Sequence, residues 1–175
     1  MRRKAFFWLL LIAMIGLWAY KDTLFPSEVI HADSAKVTDG DTLVIDRQAY
    51  RLHGIDAPEY HQLCKEVQGK YWPCGKAARL QLASFVAAGS ISCAPQATDT
   101  YGRRVARCSS ATVPDMGEAM VQAGLAISPA ERGAAVYAEA ETAARDAKRG
   151  IWQGEFDTPA DWRAAHPRLI VTNAL

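Results

Sequence analysis

The sequence predicts an α+β domain: a five-stranded OB-fold β-barrel with about three helices, preceded by an N-terminal hydrophobic anchor helix. Three observations predict it. Short apolar runs of strand length are separated by turn-forming residues. One helical run falls between the third and fourth strands, and more helical runs follow the fifth. A basic and then apolar stretch opens the chain.

Met1-Arg2-Arg3-Lys4 precedes an apolar run over residues 5–20, the n-region and h-region pattern of an export signal. The run is slightly long for a cleaved h-region and slightly short for a full bilayer span. No small-x-small site follows it directly; Ala32-Asp33-Ser34 fits that pattern only farther downstream. The balance favours an uncleaved signal anchor over residues 1–21, with a cleaved signal peptide and secretion as the alternative. Arg2, Arg3 and Lys4 stay cytoplasmic, so the domain is expected in the periplasm or outside the cell, anchored to the inner membrane. Residues 22–34 read as a polar tether.

The main domain is expected over residues 35–153. Residues 35–37 and 42–45 are strand-like and separated by the turn cluster Thr38-Asp39-Gly40-Asp41; Asp46-Arg47-Gln48 turns the chain into a third strand over 49–55. Residues 63–73 read as a loop. Ala78, Leu82, Phe85 and Val86 have helical spacing within 75–88, and Gly89 stops that run. Strands are expected at 90–94 and 103–108 around a polar loop. A short helix over 114–123 closes at Gly124, and an alanine-rich helix over 134–149, whose alanine and leucine stripe reads as core, closes at Gly150. The tail, 154–175, places Phe156, Pro159 and Trp162 to pack back on the barrel, with disorder expected over 171–175.

Half of the 175 residues are apolar, enough for a core, and the net charge of +1 creates no global basic field. A polyanion site must therefore be local. Cys64, Cys74, Cys93 and Cys108 suit an oxidising compartment. Four cysteines permit three pairings; Cys64 with Cys74, closing a local loop, and Cys93 with Cys108, joining neighbouring strands, are expected. Without a Cys-x-x-Cys pair, a structural zinc site is not indicated.

The chemistry gathers between Thr38 and Glu59. Asp41, Asp56 and Glu59 can hold a hard cation and a water, while Arg51 and Arg103 can each fork two hydrogen bonds onto a phosphate. On a strictly alternating strand Arg51 and Asp56 face opposite sides, so their convergence needs a bend, expected at Gly54. His53 and His61 lack partners at metal or catalytic spacing.

Asp39-Gly40-Asp41-Thr42, Arg51-Leu52-His53-Gly54-Ile55-Asp56-Ala57-Pro58-Glu59 and Asp99-Thr100-Tyr101-Gly102-Arg103 resemble, in order and spacing, the thermonuclease (staphylococcal nuclease-like) family. Gly124-Leu125-Ala126, Ala144-Arg145 and Gly150-Ile151-Trp152 extend the resemblance over about residues 35–152. It implies a calcium-dependent nuclease that cuts DNA and RNA to leave 3'-phosphate ends. Residue by residue it implies Arg51, Glu59 and Arg103 as catalytic, and Asp41, Asp56 and the Ala57 backbone carbonyl as Ca2+ ligands. Tyr101 falls at a substrate-binding position. The implied partners are nucleic acid, single-stranded DNA or RNA, and the membrane through the N-terminal helix; no protein partner is implied. Two departures stand out. No aromatic follows Gly124-Leu125-Ala126 before Tyr137, and Thr100 stands where family members often carry lysine. The competing expectations are a catalytically silent OB domain that binds nucleic acid or protein, and a structural spacer; the presence of all five charged positions favours catalysis.

Overall fold

The computed structural model describes residues 28–130, 133 and 135–167. The strands run in chain order as β1 (Ile30–Ala32), β2 (Lys36–Val37), β3 (Thr42–Ile45), β4 (Gln48–Leu52), β5 (Cys64–Lys65), β6 (Tyr71–Trp72), β7 (Ile91–Thr98) and β8 (Arg104–Ser109). The helices are α1 (Cys74–Ala87), α2 (Met116–Gln122), α3 (Ala138–Asp146) and α4 (Pro159–Ala165), with a 3-10 turn over Gly150–Gln153 between the last two.

Six strands make one mixed sheet in the order β1-β7-β8-β4-β3-β2, and β5 pairs with β6 separately. The two edges of the large sheet, β1 and β2, follow one another in the chain. β1 pairs antiparallel with β7 while β2 pairs antiparallel with β3, so the sheet curls until its edges approach. This arrangement is consistent with an OB-like fold. Ile30–Ala32, expected in the tether, is drawn into the sheet because Ile30 and Ala32 lie opposite Cys93 and Ile91. The anchor expected over 1–21 and the disorder expected over 171–175 lie outside the described residues. No described helix is long and apolar enough to cross a membrane.

Local chemistry explains the elements and their departures from expectation. Asp46 and Arg47 both take positive φ, 49° and 67°, the geometry of a two-residue hairpin turn between β3 and β4. β4 stops at Leu52 rather than Ile55 because the chain turns at Gly54. β7 continues through Pro95, with a register shift between Pro95 and Ala97; the irregularity accommodates a residue that cannot donate to the ladder. α3 starts at Ala138, later than expected, and the Ser128 hydroxyl accepts the Tyr137 N–H at its entry (3.0 Å). α4 was not expected as a helix. Thr158 caps it by accepting the Asp161 N–H, and Pro159 supplies a first helical residue that needs no donor.

The main core joins sheet residues Leu43, Leu52, Ile91 and Ala106 to Ala78 and Leu82 of α1 and Met116 and Met120 of α2, all of them fully buried or nearly so. Ala140 of α3 joins the same cluster. A second cluster holds Cys64, Cys74 and Ile151, with Trp72, Trp152 and Phe156 packed against it. The structure pairs Cys64 with Cys74 and Cys93 with Cys108. The first disulfide ties the β5–β6 hairpin to the start of α1, inside the cluster that seats the C-terminal segment. A Cys64→Ser/Cys74→Ser double variant is expected to lose about 3 kcal/mol of stability, the loop-closure contribution of a loop this short. Urea denaturation of the purified full chain, read against the parent, measures it.

Candidate active site

The site forms where β3 and β4 meet the turn that follows β4. Thr42 lies opposite Arg51 in the antiparallel register, which carries Arg51 alongside the preceding residue, Asp41. Leu52 donates its N–H to the Asp41 carbonyl (2.8 Å), which locks that end of the hairpin. The chain then bends at Gly54, whose φ of +74° lies in the region that disfavours a side chain. Ser128 donates its hydroxyl to the Gly54 carbonyl (2.9 Å), and Asp56 and Ile127 exchange both backbone hydrogen bonds (2.9 Å each). Ile127 and Ser128, which follow Gly124-Leu125-Ala126 after α2, therefore serve as a backstop that fixes the bend. Through it, Asp56 returns to the face of Arg51.

Arg51 is the hub. Its Nη1 donates to Asp41 Oδ2 (2.5 Å), and its Nη2 donates to Asp56 Oδ1 (2.8 Å) and to the Ile55 carbonyl (3.1 Å). Asp41 and Asp56 are only 4% and 5% exposed, so their charges depend on these partners. Burial pushes the Asp41 carboxyl up, but Arg51 and the Thr42 hydroxyl outweigh it and hold the group below its ordinary value. Arg51 is itself held firmly protonated: burial opposes its charge, and Asp41 and Asp56 more than offset that. Asp39 behaves differently. Burial and the adjacent Asp41 charge push it up to about 8, and it accepts the Asp41 N–H (3.1 Å), bracing the turn.

Glu59 reaches the same cluster from the other side of the bend. Burial, with added repulsion from Asp41 and Asp56, raises its carboxyl above the ordinary value. A base raised toward neutrality without losing its charged partners suits proton transfer. Its backbone is set by Gln62, a wholly buried side chain. Gln62 Oε1 accepts the Glu59 N–H (3.1 Å), and Nε2 donates to the Asp157 carbonyl (2.7 Å). Gly75 packs beneath this turn so closely that a Cβ there would lie 1.7 Å from the Glu59 carbonyl oxygen.

Arg103 stands apart from the hub but connects to it. Asp99 accepts from its Nε (2.7 Å) and from its backbone N–H (2.9 Å), which fixes the side chain. Its Nη1 reaches Thr42 Oγ1 (3.5 Å), and that hydroxyl donates to Asp41 Oδ1 (2.8 Å). Tyr101 is 84% exposed and its ring lies 5.5 Å from the Arg103 guanidinium carbon, leaving one aromatic face free for stacking. Ala57 is buried and presents its N–H to Asp41 Oδ2 (3.4 Å). The structure thus brings together Asp41, Arg51, Asp56 and Glu59, sets Ala57 behind them, and places Arg103 and Tyr101 at their rim.

One member of the cluster was not anticipated. Arg163 of α4 donates from Nη1 to Asp56 Oδ1 (3.0 Å) and Glu59 Oε1 (2.9 Å), and from Nη2 to Asp56 Oδ2 (3.0 Å). These contacts span more than a hundred residues of sequence. The readable signal was Thr158-Pro159-Ala160-Asp161, a helix-start pattern that would have found α4, though not its target.

Carboxylate oxygens are the donors a hard divalent cation takes, and Asp41 and Asp56 would supply them. Both grip neighbouring nitrogens of the Arg51 guanidinium, and among the described residues no group of three or more His, Cys, Asp or Glu side chains is arranged to hold a metal ion. Three of the hydrogen bonds that saturate Asp56 come from Arg51 and Arg163.

A family model described as "Staphylococcal nuclease homologue" matches residues 49–154. The chain is 32% identical over 122 residues to the succinoglycan biosynthesis protein ExoI of Rhizobium meliloti (strain 1021), covering 69% of this chain and 64% of that protein. It is 32% identical over 130 residues to the probable endonuclease LCL3 of Scheffersomyces stipitis, covering 67% of this chain and 54% of that one. The chain therefore spans less than two thirds of the length of these curated relatives. Asp41 precedes the stretch matched by the family model, and Arg163 follows it.

Gln62→Leu keeps the volume but leaves the Glu59 N–H and the Asp157 carbonyl without partners. The expected cost is about 1–3 kcal/mol, chiefly from the half-buried Glu59 N–H left without its partner. Urea denaturation of the full chain checks it; a loss under 1 kcal/mol, of the size of an ordinary surface substitution, would show that the Glu59 turn is held by other contacts.

Proposed function

Because this chain belongs to the staphylococcal nuclease homologue family, we propose that it is a nuclease that hydrolyses phosphodiester bonds of DNA or RNA, dependent on calcium and leaving 3'-phosphate ends. The observation that carries the reading is the Arg51 hub, which gathers Asp41, Asp56 and, through the same bend, Glu59 into one cluster. A chain kept only for binding has no need to bury two carboxylates against two arginines beside a raised glutamate.

In this reading a scissile phosphate lies between the hub and Arg103. Arg51 and Arg103 fork hydrogen bonds onto its non-bridging oxygens as negative charge builds there. Glu59 orients a water for in-line attack and accepts its proton, helped by the raised affinity of its carboxylate for protons, while the P–O5' bond breaks and the departing 5'-oxygen takes a proton from solvent. Asp41 and Asp56 would hold calcium, which would screen the phosphate charge and help polarise the phosphoryl group. Tyr101, exposed at the rim, stacks a base of a single-stranded substrate. With no aromatic between Gly124-Leu125-Ala126 and Tyr137, Tyr101 carries most of that task.

We assign the protein to the outer side of the inner membrane, held by residues 1–21. The support is the basic-then-apolar opening of the sequence and the pairing of all four cysteines, which suits an oxidising compartment.

The test is cleavage of single-stranded DNA and RNA by the purified full chain in mild detergent, with calcium and with chelator. Calcium-dependent cutting is expected, reduced by more than a hundredfold in Arg51→Lys, since lysine keeps the charge but loses the fork worth about 3 kcal/mol at the transition state. Arg51→Ala/Glu59→Ala is expected to abolish it. A well-folded, oxidised chain that binds either substrate and cuts neither is a nucleic-acid-binding module instead.

A further inference from the structure

Asp56 is held by two arginines that differ in their freedom to leave. Arg51 sits on β4, has 20% of its side chain exposed, and is pinned by Asp41, Asp56 and the Ile55 carbonyl. Arg163 is 32% exposed, and all three of its guanidinium hydrogen bonds go to Asp56 and Glu59. Its backbone is nonetheless fixed. Trp162 beside it is 7% exposed, Pro159 is buried, Thr158 caps the helix, and Gln62 holds the Asp157 carbonyl just ahead of it. The helix is therefore anchored while the guanidinium, at the end of a long side chain, can swing toward solvent.

The bidentate grip of Arg163 covers both oxygens of Asp56. A hard cation needs those lone pairs and is repelled by a guanidinium beside them. The carboxylates touched by the two arginines carry three negative charges against two positive ones. Exchanging Arg163 for a divalent ion balances them; adding the ion on top of Arg163 does not.

We propose that Arg163 is the resident counter-ion of Asp56 and Glu59, and that a divalent cation takes Asp56 only as the Arg163 side chain lets go. α4 then sets the cation affinity of the site, and Arg163 acts as a positioning residue for Glu59 while the cation is absent. This rests on the reading of Asp41 and Asp56 as the cation site. It assigns a task to a segment beyond the matched stretch of residues 49–154.

Calcium affinity of the full chain, measured by titration calorimetry without substrate, tests it. Arg163→Gln removes the competing charge and is expected to bind calcium about tenfold tighter or more, on the scale of one charge-assisted contact. Arg163→Lys, which keeps the charge and loses the fork, guards against a folding failure and is expected to fall between Arg163→Gln and the parent. Equal or weaker binding in both variants, with the parent binding calcium, overturns this inference and leaves the cation site standing. No calcium binding by any folded variant overturns both.

Discussion

Everything in the site depends on the guanidinium of Arg51 lying between two buried carboxylates. Neither Asp41 nor Asp56 is exposed enough to draw much solvation from water, so each needs a fixed positive partner to remain charged. That requirement is met by backbone geometry. The β3–β4 register puts Arg51 beside Asp41, and the bend at Gly54 returns Asp56 to the same nitrogen-rich face. A one-residue slip in that hairpin would put Arg51 on the opposite face, leaving Asp41 buried without its ion-pair partner and Asp56 with Arg163 alone. Strand register and charge pairing are thus one constraint seen twice.

Around the hub the protein builds in two directions with different characters. Toward Arg103 and Tyr101 the surface opens: Tyr101 stands almost free in solvent, and Asp99 and the Thr42 hydroxyl aim the arginine. Toward Glu59 the surroundings close. Gln62, Gly75 and the Cys64–Cys74 disulfide lie beneath the glutamate, and the segment from Asp157 to Arg163 covers it. The open side is suited to a chain-like substrate that must enter and leave. The closed side is suited to holding a carboxylate whose proton affinity is raised by burial. Such a wall limits the bulk solvent that would restore the ordinary behaviour of the glutamate.

The elements around the site were legible in proportion to how local their causes are. The hairpin turn at Asp46-Arg47, the bend at Gly54, and the spacing of Ala78, Leu82 and Val86 in α1 are each decided within a few residues. Arg51, Asp56 and Glu59 are close in sequence, and the need for a bend between Arg51 and Asp56 follows from strand alternation alone. Less was legible where partners are remote. β1 is a strand because β7 offers it an edge, and β7 runs past Pro95 because β8 continues beside it. The β5–β6 hairpin is two residues on each side, too short for any periodicity, and exists beside a disulfide and the second apolar cluster.

Arg163 marks the boundary most sharply. By itself the sequence determined the β3–β4 hairpin, the acids and arginines on it, and the kind of chemistry that set permits, because these follow from dihedral preference, side-chain type and spacing over short distances. Only the tertiary structure decided that a helix from the tail delivers Arg163 to Asp56, as its second guanidinium, and to Glu59. The physical reason is that a charge pair is read from distance in space. The chain gives no local sign of which carboxylate a surface-helix arginine will meet once Trp162 and Pro159 have packed that helix against the domain.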